Sequence, residues 1–181
     1  MDLIEKTKSS EHIFEGRVVD LWIDTVELPD GNESKREIIK HPGGVCVFAV
    51  DDENNVFMVR QFRKPTEQVV LEIPAGKLEY GEDPLKAGIR ELEEEVGVVA
   101  DEIISLGYIY PTPAYCCEKI HMFFARNLKQ SSQHLDEDEF LEVLKTPYDE
   151  LYSMVINNKI IDGKTALATL RAKEYIYPSK R

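Results

Sequence analysis

Asp83-Pro84-Leu85-Lys86-Ala87-Gly88-Ile89-Arg90-Glu91-Leu92-Glu93-Glu94-Glu95-Val96-Gly97 is the stretch that organises this chain. The spacing predicts a helix from about Pro84 to Val96, with Asp83 as N-cap, Pro84 at N1 and Gly97 as C′. On a wheel of about 100° per residue, Leu85, Ile89, Leu92 and Val96 form one stripe, expected to face the core. Glu91, Glu94 and Glu95 share a sector on the far side, with Glu93 on its flank. Charged runs are commonly just solvated faces. These glutamates, however, crowd the last turns, where the helix dipole disfavours each negative charge by about 0.3–1 kcal/mol. Glu91 and Glu95 also repel each other at i,i+4. Arg90 is the only cation within the run and cannot neutralise four carboxylates. A positive partner is expected against this face, and hard oxygen donors favour Mg²⁺, Mn²⁺ or Ca²⁺.

Upstream the chain reads as β. Ile13–Asp20 and Leu21–Leu28 are strand-like, Pro29-Asp30-Gly31-Asn32 is a turn, and Ser34–His41 returns as the partner strand. Pro42-Gly43-Gly44 breaks the chain before Val45–Val50, a buried-strand candidate. Val56–Phe62 and Val69–Ile73 follow. Downstream, strands are expected at Ile103–Tyr110, Ile120–Ala125 and Phe140–Leu144, then two helices. The first starts at Thr146-Pro147-Tyr148-Asp149 with Thr146 as cap, and the second runs from about Lys164 to Tyr175. Interleaved strands and few helices suggest a mixed sheet with helices packed on it, an α/β or α+β sandwich.

The 181 residues, 43% of them apolar and 31% charged, suit one globular domain with a real core. A net charge of −12 argues against nucleic acid or an anionic membrane as partner. No apolar run is long enough to span a bilayer, and the N-terminus has no signal-like stretch. Cys46, Cys116 and Cys117 give no disulfide framework, which fits a reducing cytoplasm; Cys46, inside an apolar run, reads as core. A cytoplasmic location is the expectation.

The loop before the helix, Pro74-Ala75-Gly76-Lys77-Leu78-Glu79-Tyr80-Gly81-Glu82, sharpens the reading. Gly76, five residues, Glu82, seven residues, then Arg90-Glu91-Leu92-Glu93-Glu94-Glu95-Val96-Gly97-Val98 matches the Nudix box at nine constrained positions across 23 residues. The chain resembles the Nudix hydrolases, which use divalent metal to cleave a nucleoside diphosphate linked to another moiety. The resemblance implies an α/β/α sandwich with a mixed sheet, here preceded by an N-terminal antiparallel β-hairpin region. It implies Mg²⁺, with Mn²⁺ as a substitute. Glu91, Glu95 and the Ala75 carbonyl would be metal ligands, and Glu94 a further metal or water contact in catalysis. Arg90 would orient the glutamates. Glu82 would be a nearby member of the metal site, counted with the substrate contacts. Gly76 would allow the tight loop and Gly97 end the helix.

Outside the box the chain resembles the ADP-ribose pyrophosphatase branch. Pro113 lies sixteen residues beyond Gly97, and Arg36-Glu37, His41-Pro42-Gly43, Gln61-Phe62-Arg63, Glu72–Lys77 and Leu135–Phe140 fit that branch as well. By that resemblance Glu137 is the general base and Glu139 a metal contact; the alternative for Asp136–Glu139 is a solvated acidic loop. Arg36 and Arg63 would bind the diphosphate or its ribose end, the alternative being surface salt bridges. Trp22 would stack on adenine, or is a half-buried strand tryptophan. Ala114-Tyr115-Cys116-Cys117 departs from the branch's Gly-Phe pattern near the substrate. The implied reaction is hydrolysis of ADP-ribose to AMP and ribose 5-phosphate; the alternatives are another nucleoside-diphosphate sugar such as GDP-mannose, and a non-catalytic nucleotide-binding module. Residues 1–42 are expected to form a dimerising β-region and 43–181 the Nudix domain of a homodimer, the two making one structural unit.

Overall fold

The computed structural model describes residues 3–135 and 139–178. β1 (Lys6–Glu15), β2 (Asp20–Glu27) and β3 (Glu33–Lys40) form a three-stranded antiparallel sheet. The first strand starts and ends earlier than expected. The hairpin closes at Gly16, whose N–H donates to Val19 O at 2.8 Å, so Val18 and Val19 lie in the turn rather than in a strand. The turn at Pro29–Asn32 forms as expected, with Leu28 N–H bonded to Asn32 O at 2.8 Å.

The remaining strands are β4 (Gly44–Ala49), β5 (Asn55–Arg63), β6 (Gln68–Glu72), β7 (Ala75–Lys77), β8 (Val98–Ile109), β9 (Ile120–Gln130) and β10 (Leu141–Pro147). They build a mixed sheet, β7-β4-β9-β8, and an antiparallel one, β10-β5-β6. The parallel pair is β4 with β9, from Gly44↔Ile120 to Ala49↔Ala125. Three helices complete the fold: α1 (Pro84–Val96), α2 (Tyr148–Ile156) and α3 (Gly163–Ile176).

β4 explains the sandwich. All six of its residues are buried, the near-continuous apolar run of a strand covered on both faces. Because side chains alternate, Val45, Val47 and Ala49 pack with Ala87, Leu92 and Val96 of α1. Cys46 and Phe48 pack on the other face with Leu151 of α2 and with Ala168 and Ala172 of α3. β9 keeps the same alternation, Phe123 and Ala125 toward α1, Met122 and Phe124 toward α3.

Three expectations change. The buried stripe of α1 is Ala87, Gly88, Leu92, Glu95 and Val96, while Leu85 and Ile89 are each 40% exposed. Gly88 is the cause: a Cβ there would lie 3.1 Å from Val45 and 3.4 Å from Phe123, so the helix seats closest at its smallest residue and turns Glu95 inward. Thr146 is not a helix cap. It is a buried β10 residue paired with Val56, and α2 begins at Tyr148 without a side-chain cap. Ala75–Lys77, expected as loop, pairs antiparallel with Gly44–Cys46 as β7.

Candidate active site

Local sequence places α1 as read. Asp83 accepts from Lys86 N–H at 3.0 Å, and Gly97 ends the helix at φ 71° with its N–H on Glu93 O. α1 packs across β7, and the acidic residues meet the backbone there. Glu95 is 3% exposed, and its Oε2 accepts from Ala75 N–H at 2.9 Å. Burial pushes its carboxyl up to about 8, with Glu91 and Glu139 adding repulsion and the Ala75 N–H opposing. Glu91 is raised in the same direction, chiefly by burial. Its carboxylate lies where a side chain at position 76 would be: a Cβ on Gly76 would fall 1.9 Å from Glu91 Cδ. Only glycine leaves room for it.

Arg90 gathers the rest. Its Nη1 lies 2.9 Å from Glu91 Oε1 and 2.7 Å from Glu94 Oε2, and Nη2 lies 3.4 Å from Glu82 Oε1. Burial works against its charge, but Glu91, Glu94 and Glu82 together hold the guanidinium more firmly protonated than usual. Glu93 turns away to accept from Ser131 Oγ.

A cavity of ≈ 1020 Å³ opens beside this face, over the starts of β4 and β9. Ala75, Gly76 and Glu139 line one side, Arg63, Asp162 and Lys164 line it too, and Tyr110, Ile109 and Leu167 add apolar wall. Arg63 grips the buried Glu72 with a two-pronged contact, Nε–Oε1 at 2.7 Å and Nη2–Oε2 at 2.8 Å. Lys164 Nζ also donates to Glu72 Oε2 and, at 3.1 Å, to Asp162 Oδ1.

The structure thus brings together Ala75, Glu91, Glu95, Arg90, Glu94 and Glu82, with Glu139 and Arg63 on the adjoining cavity. Within one chain it does not bring Arg36 or Trp22 there. Arg36 pairs with Glu5 on the outer sheet. Trp22 stacks on His12 at 4.7 Å under Lys40, its Nε1–H bonded to Asp20. Glu137 lies outside the described residues. The 114–117 loop ties the outer sheet to the site: Ile39 N–H donates to Tyr115 O at 2.7 Å, and Cys117 N–H to Ile39 O at 3.0 Å. Glu72, Asp162 and Lys164 escape a reading of the sequence. The one signal is Lys164 itself, a cation in the first turn of a helix, against the dipole.

A divalent ion fits this donor set. Among the described residues no three acidic, His or Cys side chains converge on one point, because Glu91 leans on Arg90 and Glu95 on a backbone amide. Yet the donors are hard oxygens, two with carboxyls raised by burial and by repulsion from neighbouring carboxylates, and a small hard cation offsets both effects. Glu91, Glu95, Glu139 and the Ala75 carbonyl are the residues that could hold it.

The acidic helix face, a backbone carbonyl held in a short strand and an adjoining cavity with cationic groups define a metal-assisted phosphoryl-cleaving class of site. The NUDIX domain profile matches residues 40–166. The chain belongs to the NUDIX family, and its enzyme class is pyrophosphohydrolase. It is 46% identical to the ADP-ribose pyrophosphatase of Bacillus subtilis, over 98% of both chains. It is also 46% identical to the methanol dehydrogenase activator of Bacillus methanolicus, over 91% of this chain and 90% of that one. A crystal structure of an ADP compounds hydrolase superposes with TM-score 0.83 over 95% of this chain and 94% of its own, at 21% identity, which speaks to the fold alone.

Proposed function

We propose that this protein hydrolyses the diphosphate linkage of ADP-ribose, water adding across it to give AMP and ribose 5-phosphate, with Mg²⁺ as cofactor and Mn²⁺ as substitute. The observation that carries the reading is the placement of Glu95 and Glu91 against the Ala75-Gly76 backbone, at the edge of a cavity that also holds Arg63. Similarity to a Bacillus subtilis ADP-ribose pyrophosphatase over nearly the whole chain favours this substrate over GDP-mannose.

Bound Mg²⁺ supplies Lewis acidity and charge neutralisation toward the diphosphate. Glu91, Glu95, Glu139 and the Ala75 carbonyl would hold it. Arg90 keeps Glu91, Glu94 and Glu82 oriented. Arg63, its guanidinium fixed by Glu72, presents its remaining N–H edge to phosphate oxygens. Glu137 takes the proton from the attacking water. Positioning and charge stabilisation are the main demands of phosphoryl transfer, and this inventory meets them.

The outer sheet supports a homodimer. β1 is exposed along its whole length, and Ile13 and Phe14 are 45% and 57% exposed. In such a pair Arg36 and Trp22 would serve the partner's cavity. Cys46, Cys116 and Cys117 as free thiols favour a cytoplasmic location. The charge of −12 favours a small-molecule substrate over nucleic acid or membrane. No helix among the described residues is long and apolar enough to cross a membrane.

The test is AMP release from ADP-ribose with Mg²⁺, beside GDP-mannose, with Glu95→Gln as control. Preferred turnover of ADP-ribose that the variant abolishes supports the reading; preference for GDP-mannose overturns the substrate. A second reading, activation of a methanol dehydrogenase, rests on the Bacillus methanolicus relative. Adding wild type and Glu95→Gln to that dehydrogenase tests it: stimulation supports it, and stimulation only by wild type ties it to the same site.

A further inference from the structure

The cysteines occupy different environments. Cys46 is fully buried in β4, and burial pushes its thiol up to about 12, the mark of an inert core cysteine. Cys116 is half-buried and turned back into its own loop, its Sγ accepting from Glu118 N–H at 3.5 Å. Cys117 is exposed, and its sulfur reaches out of the loop to the chain between β3 and β4. There Sγ accepts from His41 N–H at 3.2 Å and donates to His41 O at 3.7 Å.

That contact bears on the cavity. His41 and Gly44 line it from one segment, and Glu118, the residue after Cys117, lines it from the other. Three bonds zip the two segments together. Cys117 N–H donates to Ile39 O at 3.0 Å, and Gly44 N–H donates to Lys119 O at 2.9 Å. The middle bond is the Cys117 thiol on His41. His41 in turn accepts from Gly43 N–H through Nδ1 at 3.0 Å. One exposed thiol therefore helps to hold a piece of the cavity wall.

Exposure opens this sulfur to thiol–disulfide exchange, in which access governs the rate. Cys116 is no partner for it. Adjacent Cα atoms lie about 3.8 Å apart, below the roughly 4.4–6.8 Å that a disulfide takes. The two sulfurs also engage different backbone amides. A disulfide arriving from outside meets neither obstacle.

We propose that Cys117 is a modification site, where a small-molecule disulfide forms a reversible mixed disulfide that loosens the His41 wall of the cavity. The thiol proton passes to solvent, and the thiolate attacks one sulfur of the incoming disulfide. A new S–S bond forms as the old one breaks, and one small thiolate leaves. Excess thiol reverses the step. The adduct removes the proton that faced His41 O and crowds the sulfur against His41 N–H. The short Cα spacing keeps Cys116 from expelling the adduct, so it persists until external thiol arrives. The effect on turnover rests on the reading that a nucleoside diphosphate occupies the cavity; the modification itself does not.

The experiment treats wild type, Cys116→Ser and Cys117→Ser with oxidised glutathione, then with excess dithiothreitol. Mass spectrometry of the digested protein locates the adduct. Wild type and Cys116→Ser should carry a glutathionyl group on Cys117, Cys117→Ser should carry none, and Cys46 should stay free in all. An adduct chiefly on Cys116, a Cys116–Cys117 disulfide, or no adduct overturns the proposal. In modified wild type, amide exchange at His41 should quicken about tenfold, as for the loss of one hydrogen bond, and KM for ADP-ribose should rise about as much. Dithiothreitol should restore both. Cys117→Ser, whose hydroxyl still accepts from His41 N–H, should keep the wild-type KM and ignore oxidised glutathione. An equal loss of turnover in treated Cys117→Ser, or a Cys117 adduct that changes neither exchange nor KM, overturns the proposal. If untreated wild type does not turn over ADP-ribose, the substrate reading has failed separately. Amide exchange at His41 then decides between a loosened wall and an adduct without effect.

Discussion

Replacing Gly76 with alanine adds one methyl group and should nearly silence the enzyme while leaving it folded. Gly76 is not one of the positive-φ glycines, so the backbone accepts alanine without strain. The new Cβ would sit 1.9 Å from Glu91 Cδ and 2.0 and 2.4 Å from its carboxylate oxygens. Those atoms are the far end of a flexible side chain, so Glu91 swings aside rather than breaking β7. Relief of the contact needs a shift of more than about 1 Å, and misplacement by 1 Å costs on the order of 10²-fold in rate. Stability should barely change. A Gly→Ala change at an allowed backbone position contributes about 0.4–1 kcal/mol. Loss of the Arg90–Glu91 pair, whose arginine is 40% exposed, costs roughly 0–1 kcal/mol. The net effect is within about 1 kcal/mol, or about 2–4 °C at this chain length. The assay pairs kcat on ADP-ribose across a Mg²⁺ titration with thermal melting in EDTA. A kcat within threefold of wild type, at unchanged metal affinity, would refute the placement of Glu91 as a ligand.

Glu95→Gln should lower turnover about 10²- to 10³-fold with no fall in melting temperature, because glutamine still accepts from Ala75 N–H and puts no ionisable group in a buried place; a variant that melts well below wild type contradicts this. Glu72→Gln leaves Arg63 and Lys164 without their carboxylate and should cost about 3–5 kcal/mol at pH 7, read by urea unfolding. Burial opposes ionisation of Glu72, yet Arg63 and Lys164 hold its carboxyl below the ordinary value of 4.5. Its stabilising effect is therefore complete above that value and lost as pH falls through the lower folded value. The gap between wild type and Glu72→Gln should begin to narrow once the pH falls below 4.5, and a gap that stays constant or widens as the pH falls further would refute the assignment. Glu137→Gln should lower kcat about 10²- to 10⁴-fold with unchanged Mg²⁺ affinity, whereas Glu139→Gln should weaken Mg²⁺; the reverse pattern exchanges their roles.

α1 could be read from sequence almost to the residue, since Asp83, Pro84 and Gly97 act on their own neighbours. β4 was equally legible, because an unbroken apolar run between turn signals has few other homes. What escaped was non-local. β7 is three residues long and exists only because β4 offers an edge. The inward turn of Glu95 depends on Gly88 meeting Val45 and Phe123, which no wheel shows. Thr146 obeys the local grammar of a cap, but pairing with Val56 on β5 takes precedence. The acidic half of the site sits within one motif and was visible. The cationic half joins Arg63 on β5, Glu72 on β6 and the Asp162–Lys164 turn before and into α3, a grouping that only the fold creates. Arg36 and Trp22 were legible as polar and aromatic strand residues, but their placement on the outer sheet is a matter of topology.

The double-sided burial of β4 has a further consequence for how this molecule comes apart. The helix bearing the glutamates and the helix bearing Lys164 are fastened to opposite faces of one slab, and the cavity lies over the slab's end, lined by β4, β7 and β9 and by the start of α3. Neither helix can drift relative to the other while β4 and β9 stay paired. Amide protons of Val47 and Phe48 should therefore exchange with solvent only through whole-molecule opening. Heat should remove activity and structure in a single step, with no softened, inactive intermediate between them.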